Sequence, residues 1–361
     1  RSSINMTVKW DGAPAIFAGI DPEDNKFFVG KKSVFNVEPQ LYKTNADIDK
    51  YTSGDLNAKF KVALREFPKL GIKGVLQGDL MFTDDVSTTS IDGQKFYTFQ
   101  PNTIVYAVDV DSDFGKQVKS AKIGVVWHTT YTGKDLQSMK ASFGVNISGL
   151  KRVSSIWMDD ATFKDVSGKA TFTQSETDAI TSELSGAGST FQKINAVLLK
   201  KFLNLQNSLT GALASASYKT YNNTMVRAGK PITNPKRHAI GYMTYFSNKI
   251  QEQIDKMKSP AGKKKYQTIQ KEYMREFKKH SNNLEQIALF QNYIIGAKML
   301  VVKKLNSVKS IGTFVRVNNG YKVVNPEGYV AIDRVSGGAV KLVDRMEFSF
   351  NNFTAAKAWD K

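Results

Sequence analysis

The residues best suited to covalent chemistry are Lys9, Asp11 and Gly12, which lie in a short polar segment between the apolar runs 4–8 and 14–17. A lysine at the end of a strand, beside a carboxylate, can be stripped of water and used as a nucleophile. The glycine lets a flat, phosphate-bearing ligand approach the backbone closely. The pattern is short, so its meaning depends on the segments that follow it.

Four later segments place chemically useful side chains in strand-like runs. In chain order they are an acidic strand, an aromatic strand that ends in an aspartate, a Glu-Gly strand and a strand that carries a lysine. Glycine, asparagine and aspartate punctuate these runs, as expected of short strands joined by turns. The segments are 75–80 with Asp79, 103–109 with Tyr106, 327–330 with Glu327, and 339–343 with Lys341.

Taken in order, the five segments resemble the motifs of the covalent nucleotidyltransferase superfamily, which includes ATP-dependent DNA ligases, RNA ligases and mRNA capping enzymes. That superfamily carries Lys-x-Asp-Gly, an Asp-Gly-Glu-Leu type strand, an aromatic strand ending in Asp, Glu-Gly-x-Val and a strand with Lys-x-Lys. All five have a counterpart here, and the spacing from Glu327 to Lys341 is similar to that of the family. The chain looks most like an ATP-dependent DNA or RNA ligase of the phage type.

The resemblance implies that Lys9 attacks the α-phosphate of ATP, forms lysyl-AMP and releases pyrophosphate. The AMP would pass to a 5′-phosphate on RNA or DNA, and a 3′-hydroxyl would then expel it and seal the strand. Lys9, Asp11 and Lys341 would be the catalytic residues, with Lys341 neutralising charge on the phosphates.

ATP and Mg²⁺ are the cofactors that the resemblance implies. Asp79 and Glu327 would hold the metal or the ribose hydroxyls. Tyr106 would stack on the adenine, since a nucleobase needs a flat apolar partner. The implied cofactor-binding residues are Lys9, Gly12, Asp79, Tyr106, Glu327 and Lys341.

The sequence departs from the superfamily pattern at several positions. Pro14 occupies the site of an arginine that often contacts the ribose, and Gln77 that of a common aspartate. Ile332 and Val343 stand where lysines are usual, and Arg345 compensates only if it shares the strand face of Lys341. These departures support an alternative: a catalytically degenerate protein of this fold that binds nucleic acid or a viral assembly. A capping-type guanylyltransferase is a third interpretation.

The positive charge is concentrated in one part of the chain. The net charge is +18, and residues 191–310 alone hold 22 basic and 5 acidic side chains, against 29 and 28 in the remainder. Such asymmetry favours a polyanionic partner, nucleic acid before an anionic membrane, with a solvated helical face as the plain alternative. The lysines expected to contact phosphates are Lys200, Lys201, Lys263, Lys264, Lys265, Lys278, Lys279, Lys303 and Lys304.

Composition excludes several kinds of site. The absence of cysteine excludes disulfides, cysteine nucleophiles and zinc fingers. The three histidines are far apart, and we interpret His128 as a structural residue of a strand. No apolar run approaches the roughly 20 residues that cross a bilayer. We therefore expect no membrane partner and a cytoplasmic location, in the host cytoplasm if the chain is phage-encoded.

The periodicity of the apolar residues predicts an α+β fold, with a strand over 15–20 and helices over 56–70 and about 238–258. An antiparallel-sheet nucleotidyltransferase core, of the ATP-grasp-like ligase type, is interrupted by a basic all-α insertion of at least four helices. An Asn-Gly turn near residue 319, between the strand-like runs 313–317 and 321–324, predicts a hairpin and marks the return to strands. We expect no oligonucleotide-binding (OB) domain, because only 20 residues follow Lys341. The predicted domains are the N-terminal part of the core (1–172), the insertion (173–310) and the C-terminal part of the core (311–361).

Overall fold

The structure is a computed structural model that describes residues 4–91, 93–162, 172–307, 312–317, 320–323, 325–333 and 338–349. The chain forms two compact units: the first from the described residues of 1–168 and 306–343, the second from those of 169–305 and 344–354. Antiparallel sheets and several helices confirm the predicted α+β class. Up to residue 162 the elements are β1 (Ile4–Lys9), β2 (Ala15–Ile20), β3 (Phe27–Gly30), α1 (Asn45–Tyr51), α2 (Gly54–Glu66), β4 (Val75–Phe82), β5 (Ser87–Ile91), β6 (Gln94–Phe99), β7 (Val105–Asp109), α3 (Asp113–Ser120), β8 (Ile123–Thr132), β9 (Lys140–Phe143) and β10 (Ile156–Asp160).

A six-stranded sheet forms the core of the first unit. Its order is β10-β8-β4-β2-β3, with β9 attached to β8, and the pairings are antiparallel except for the parallel pair of β10 and β8. The central strands β2, β4 and β8 are largely buried; β2 is apolar throughout, whereas β4 and β8 also carry polar side chains. Strand β4, which carries Asp79, lies between β2 and β8, so its register is fixed on both sides.

Helix α2 covers one face of this sheet. Its buried residue Phe60 packs edge-on against Tyr42, and Phe67, in the turn that follows, lies against Trp127 of β8. The sequence predicted one helix over 56–70, but the α-helix ends at residue 66 and continues as a 3₁₀ turn over 67–70. Pro68 explains the change, because its nitrogen cannot donate the next helical hydrogen bond.

Four strands that follow the helical residues complete the first unit. They are β11 (Gly312–Val317), β12 (Gly320–Val323), β13 (Gly328–Asp333) and β14 (Ala339–Leu342). The first two form the predicted hairpin, and β11 joins β7 in a five-stranded sheet of order β12-β11-β7-β6-β5. The last two pair with the beginning of the chain in a three-stranded sheet of order β1-β13-β14. Strands from both sides of the helical residues therefore build one unit.

The second unit is helical. Three large side chains of its central helix (Tyr242, Phe246 and Ile250) are fully buried, and rings from two other helices pack against them. No helix in the described parts of the chain is both long and apolar enough to span a membrane. The α-helices are α4 (Gln174–Lys193), α5 (Ala196–Ser208), α6 (Tyr218–Arg227), α7 (Pro235–Lys256), α8 (Pro260–Lys279) and α9 (Ser281–Asn306).

Replacing Phe60 with alanine tests the contact between α2 and the sheet. Phe60 is fully buried, so Phe60→Ala should lower the free energy of unfolding of the first unit by about 3–5 kcal/mol through lost burial and an unfilled cavity. Urea denaturation followed by circular dichroism measures the change. Val37→Ala is the control: Val37 is 92% exposed, so its shift should stay within about 0.5 kcal/mol. Equal shifts for both variants would contradict the packing.

Candidate functional site

Lys9 and Glu327 meet because β1 pairs with β13. The antiparallel register sets Lys9 opposite Gly328, the first residue of β13. The ammonium group of Lys9 forms an ion pair with Oε1 of Glu327, and the lysine side chain keeps 28% of its surface exposed. The first and fourth of the sequence motifs are therefore in direct contact, and the lysine remains open to a ligand.

The segment between β1 and β2 is held against β4. The backbone N–H of Ala13 donates to the carbonyl of Leu80 at 3.0 Å, and the N–H of Leu80 donates to the carbonyl of Pro14 at 3.1 Å. A side chain at Gly12 would collide with the Cβ of Asp79. Glycine is thus required here because the backbone passes directly over the acidic residue, which brings the second motif to the first.

Asp11 is a buried anchor. Its Oδ2 accepts hydrogen bonds from the backbone N–H groups of Thr103 and Ile104 at 2.7 and 2.8 Å, and its Oδ1 accepts one from the side chain of Asn102 at 2.7 Å. Desolvation raises the pKa of Asp11, whereas these three hydrogen bonds and the charge of Lys9 oppose the rise. The carboxylate therefore fixes the end of β1 to the loop before β7.

Tyr106 belongs to the same anchor. Its hydroxyl accepts a hydrogen bond from the backbone N–H of Asp11 at 2.8 Å, and its ring lies 5.2 Å from that of Trp10 and 5.7 Å from that of Phe99. The ring is only 3% exposed, and burial raises the pKa of its hydroxyl strongly. Stacking of Tyr106 on adenine stays a prediction; the contacts that the structure gives this residue support the backbone at Asp11.

Lys341 lies on the same face of the three-stranded sheet as Lys9. It pairs with Val330, two residues along β13 from Gly328, the partner of Lys9, and side chains two residues apart point to the same face. Its charge opposes the rise in the pKa values of Asp79 and Glu327. The fifth motif therefore acts on the same carboxylates as the first.

Arg345 does not compensate for the lysine missing at Val343. Strand β14 ends at Leu342, and Arg345 begins a π-helix over Arg345–Ser349, where its guanidinium donates to the side chain of Asn223. The condition that it share the strand face of Lys341 is not met, because the strand stops three residues too early.

At Gln77, the carboxamide oxygen accepts a hydrogen bond from the Tyr131 hydroxyl at 2.8 Å, so it holds two strands together.

His128 adds a residue that the sequence interpretation left out of the site. Strands β4 and β8 pair through Gln77 with Thr129 and through Gly78 with Trp127, so His128 is the extra residue of a β-bulge. Its Nε2 lies 3.8 Å from Oδ2 of Asp79, and its Nδ1 is 2.7 Å from the Thr129 hydroxyl. Gly78, an isolated glycine inside β4, is a weak local signal of a bulge, but only the pairing of two distant strands reveals this neighbour.

We use the name acid–lysine cluster for Lys9, Asp11, Asp79, Glu327 and Lys341. Desolvation raises the pKa of Asp79 to about 7, with the charges of Glu327 and Asp11 adding to the rise and the two lysines opposing it. The pKa of Glu327 also rises to about 7, again mainly by burial. Two acids of the cluster are therefore poised to exchange protons near neutral pH.

Positive charge has the opposite effect on the neighbouring imidazole. Burial, together with the charges of Lys9 and Lys341, lowers the pKa of His128 to about 4. The ring is consequently neutral at pH 7 and can offer a nitrogen to Asp79 as a hydrogen-bonding group without adding charge.

The carboxylates suit a cation whose remaining coordination positions are filled by water or by oxygens of the bound nucleotide. Within the described residues, no group of three or more histidine, aspartate or glutamate side chains is arranged to hold a metal ion. Mg²⁺ commonly takes one or two carboxylates and fills its other positions with water and phosphate oxygens. Asp79 and Glu327, both hard oxygen donors with raised pKa values, fit that role.

The lysines predicted to bind nucleic acid lie on helices of the second unit. Lys304 is half-buried and forms an ion pair with Glu176 at 2.9 Å, an interaction that links α9 to the first turn of α4. The other eight are exposed and can reach a polyanion: Lys200, Lys201, Lys263, Lys264, Lys265, Lys278, Lys279 and Lys303.

The chain matches one protein family, but no curated protein and no solved structure. A family model described as "Family of unknown function (DUF6267)" matches residues 1–357. The chemistry of the site must therefore be argued from the residues themselves.

Substitution of Asp11 separates its shape from its charge. Asp11→Ala leaves two buried backbone N–H groups and the half-buried Asn102 amide without this acceptor, so we expect the free energy of unfolding to fall by about 3–5 kcal/mol. Asp11→Asn keeps an oxygen for the two backbone N–H groups and should cost about 1–2 kcal/mol. Urea denaturation measures both values. Equal losses for the two variants would show that the hydrogen bonds do not carry the anchor.

Asp79→Asn should change how stability depends on pH. The Asp79 carboxyl group has a pKa of about 7 in the folded protein and about 3.9 in the unfolded chain, so the folded protein keeps this proton to a higher pH. Its contribution to stability is lost as the pH rises from about 4 to 7. Relative to Asp79→Asn, the wild type should lose up to about 4 kcal/mol over that interval. Urea denaturation at several pH values measures the difference, and parallel curves would contradict the raised pKa.

Proposed function

We propose that this chain, which belongs to the DUF6267 family, is an ATP-dependent polynucleotide ligase that acts through a lysyl-AMP intermediate with Mg²⁺. The observation that carries the proposal is the acid–lysine cluster, in which side chains from four separated segments act on one another. A lysine beside buried acids, a second lysine on the same face and a glycine that permits close approach are what nucleotidyl transfer to a lysine needs.

In the first step, Nζ of Lys9 attacks the α-phosphorus of ATP. The N–P bond forms as the bond between that phosphorus and the bridging oxygen of pyrophosphate breaks. The attacking amine must be neutral, and Oε1 of Glu327 already contacts it. Because this carboxylate is the group in contact with Nζ, it can take the proton that Lys9 gives up.

In this proposal the other members of the cluster bind the phosphates and Mg²⁺ and hold Lys9 in position. Lys341 faces the same side of the sheet as Lys9 and would neutralise the charge that builds on the phosphates. Asp79 and Glu327 would hold Mg²⁺, which would supply charge neutralisation at the phosphates. Asp11 holds the backbone next to Lys9 in place through its three hydrogen bonds.

The second and third steps need a nucleic acid with a 5′-phosphate and a 3′-hydroxyl. The oxygen of the 5′-phosphate displaces Lys9 from the AMP phosphorus, and the 3′-hydroxyl then displaces AMP as the phosphodiester forms. The strongly basic residues 191–310 support nucleic acid as the partner, because exposed lysines bind phosphates without reading sequence. RNA and DNA are equally compatible with such contacts.

The departures from the superfamily pattern favour a second candidate, a protein of this fold that binds nucleic acid or a viral assembly without catalysis. Pro14, at the position of the ribose-binding arginine, uses its carbonyl to pair with Leu80. Val343 has no compensating cation from Arg345, which lies in a π-helix. This candidate predicts salt-sensitive binding of nucleic acid with no covalent nucleotide.

Labelling with radioactive ATP and Mg²⁺ tests the proposal. Wild-type protein should retain the label through denaturing electrophoresis, and Lys9→Ala should retain none, because the N–P bond cannot form. Lys341→Ala should lower the labelling rate by about 10²–10³-fold. Lys140→Ala, an exposed strand lysine, is the matched control and should label normally.

Two comparisons separate the alternatives. Labelling with GTP in preference to ATP would point to a guanylyltransferase. Absence of any adduct between about pH 6 and 9, with salt-sensitive binding of nucleic acid retained, would overturn the ligase in favour of the non-catalytic protein.

A further inference from the structure

A cavity of about 510 Å³ opens among the helices of the second unit, outside the acid–lysine cluster. Its size falls within the range of small-ligand sites, and its lining follows the usual pattern of apolar walls with a few polar groups. Helices α5 and α8 and the start of α9 contribute the side chains. The apolar part of the lining consists of Leu198, Phe202, Leu205, Tyr273, Phe277 and Leu284.

We propose that this cavity binds one unpaired nucleobase of a single-stranded nucleic acid. The inference deepens the proposed function, and it rests on the nucleic-acid binding assigned there to the basic helices.

Aromatic side chains supply the surface on which a base can stack. Tyr273 and Phe277 are one helical turn apart on α8, with their ring centroids 6.4 Å from each other, and Phe202 enters from α5. Tyr273 is half-buried, so part of its ring is open to a ligand. Stacking on aromatic rings tolerates any base, because every base has a flat π face.

Polar groups at the same cavity can meet the edge of a base. Asn283 uses its Oδ1 to accept from the backbone N–H of Asn195 at 3.0 Å, which leaves its amide group to donate. His280 and Glu276 lie 3.8 Å apart and offer both a ring nitrogen and a carboxylate. Donors and acceptors beside an aromatic wall are what recognition of an extruded base requires.

The charge around the cavity selects a polyanion over a neutral apolar ligand. Lys201 lines the cavity, and its neighbour Lys200 is also exposed. Lys278 and Lys279 precede His280 and are exposed as well. These cations can hold the phosphates on either side of a base that enters the cavity, as in proteins that bind single strands.

Competition between two oligomers tests the site. Fluorescence anisotropy measures binding of the full chain to a labelled dodecamer of thymidine and to an abasic dodecamer with the same phosphates. Lys9→Ala protein without ATP serves as the background, so covalent chemistry cannot contribute. Protein that carries Lys9→Ala and no change in the cavity should bind the thymidine oligomer about tenfold more tightly than the abasic one, since a base in the cavity stacks on its aromatic rings.

Filling the cavity should remove that preference. Asn204 is exposed and lines the cavity, so Asn204→Phe should bring the two affinities within about twofold while binding of the abasic oligomer is unchanged. Asn207→Phe adds the same ring to the same helix at an exposed position away from the lining, and it should keep the tenfold preference. Ser208→Tyr, at another exposed lining position, provides a second obstruction if Asn204→Phe disturbs the helical circular dichroism signal.

Three outcomes would overturn the nucleobase site. These are equal affinities for the two oligomers, a preference that survives both obstructing variants, or no binding of either oligomer. None of them affects the adenylylation assay, which reports on Lys9, so failure of the cavity and failure of the ligase are told apart.

Discussion

The antiparallel pairing of β1 with β13 is the constraint on which the candidate site depends. It sets Lys9 opposite Gly328 and so brings the ammonium group of Lys9 to Glu327. The same small sheet carries Lys341 on β14. The six α-helices α4 to α9 lie between these partners in sequence. The site therefore forms only when strands on both sides of the helical residues have joined the first unit.

Burial gives the cluster its chemistry. Carboxylates in water ionise near pH 4, but desolvation moves the pKa values of Asp79 and Glu327 to about 7. The two lysines limit that rise, and the neutral His128 adds a polar neighbour without adding charge. A cluster with more buried acids than it can easily keep ionised will favour a cation or a proton, and both are needed in nucleotidyl transfer.

Most of the net positive charge lies on the helices of the second unit, whereas the acid–lysine cluster belongs to the first unit. Residues outside 191–310 are close to neutral, although they include the whole acid–lysine cluster. The basic residues lie on helices whose shared core combines aliphatic side chains with several aromatic rings. In our proposal the first unit performs the covalent step, and the second supplies phosphate contacts and a cavity for a base. A separate basic surface lets affinity for nucleic acid change without disturbing the buried acids.

The sequence by itself determined the class of most elements and predicted which side chains form the candidate site. Alternation and helical period indicated β2, α2, α7 and the hairpin of β11 and β12, because each is a local pattern of apolar residues. It did not indicate the hairpin of β5 and β6, because β5 is polar up to its last residue and largely exposed. The order of five motifs pointed to Lys9, Asp79, Glu327 and Lys341 together. Local patterns can do this much, since they report which side chains are available.

Tertiary structure alone decided how those side chains act. It made Asp11 an anchor for the loop before β7, enclosed Tyr106 between Trp10 and Phe99, and took Arg345 out of the strand. It added His128 through a bulge between β4 and β8. Each of these results depends on which distant strands pair and on how much water the packing removes. Neither is written in local periodicity, because hydrogen-bond partners and desolvation arise only when separate segments meet.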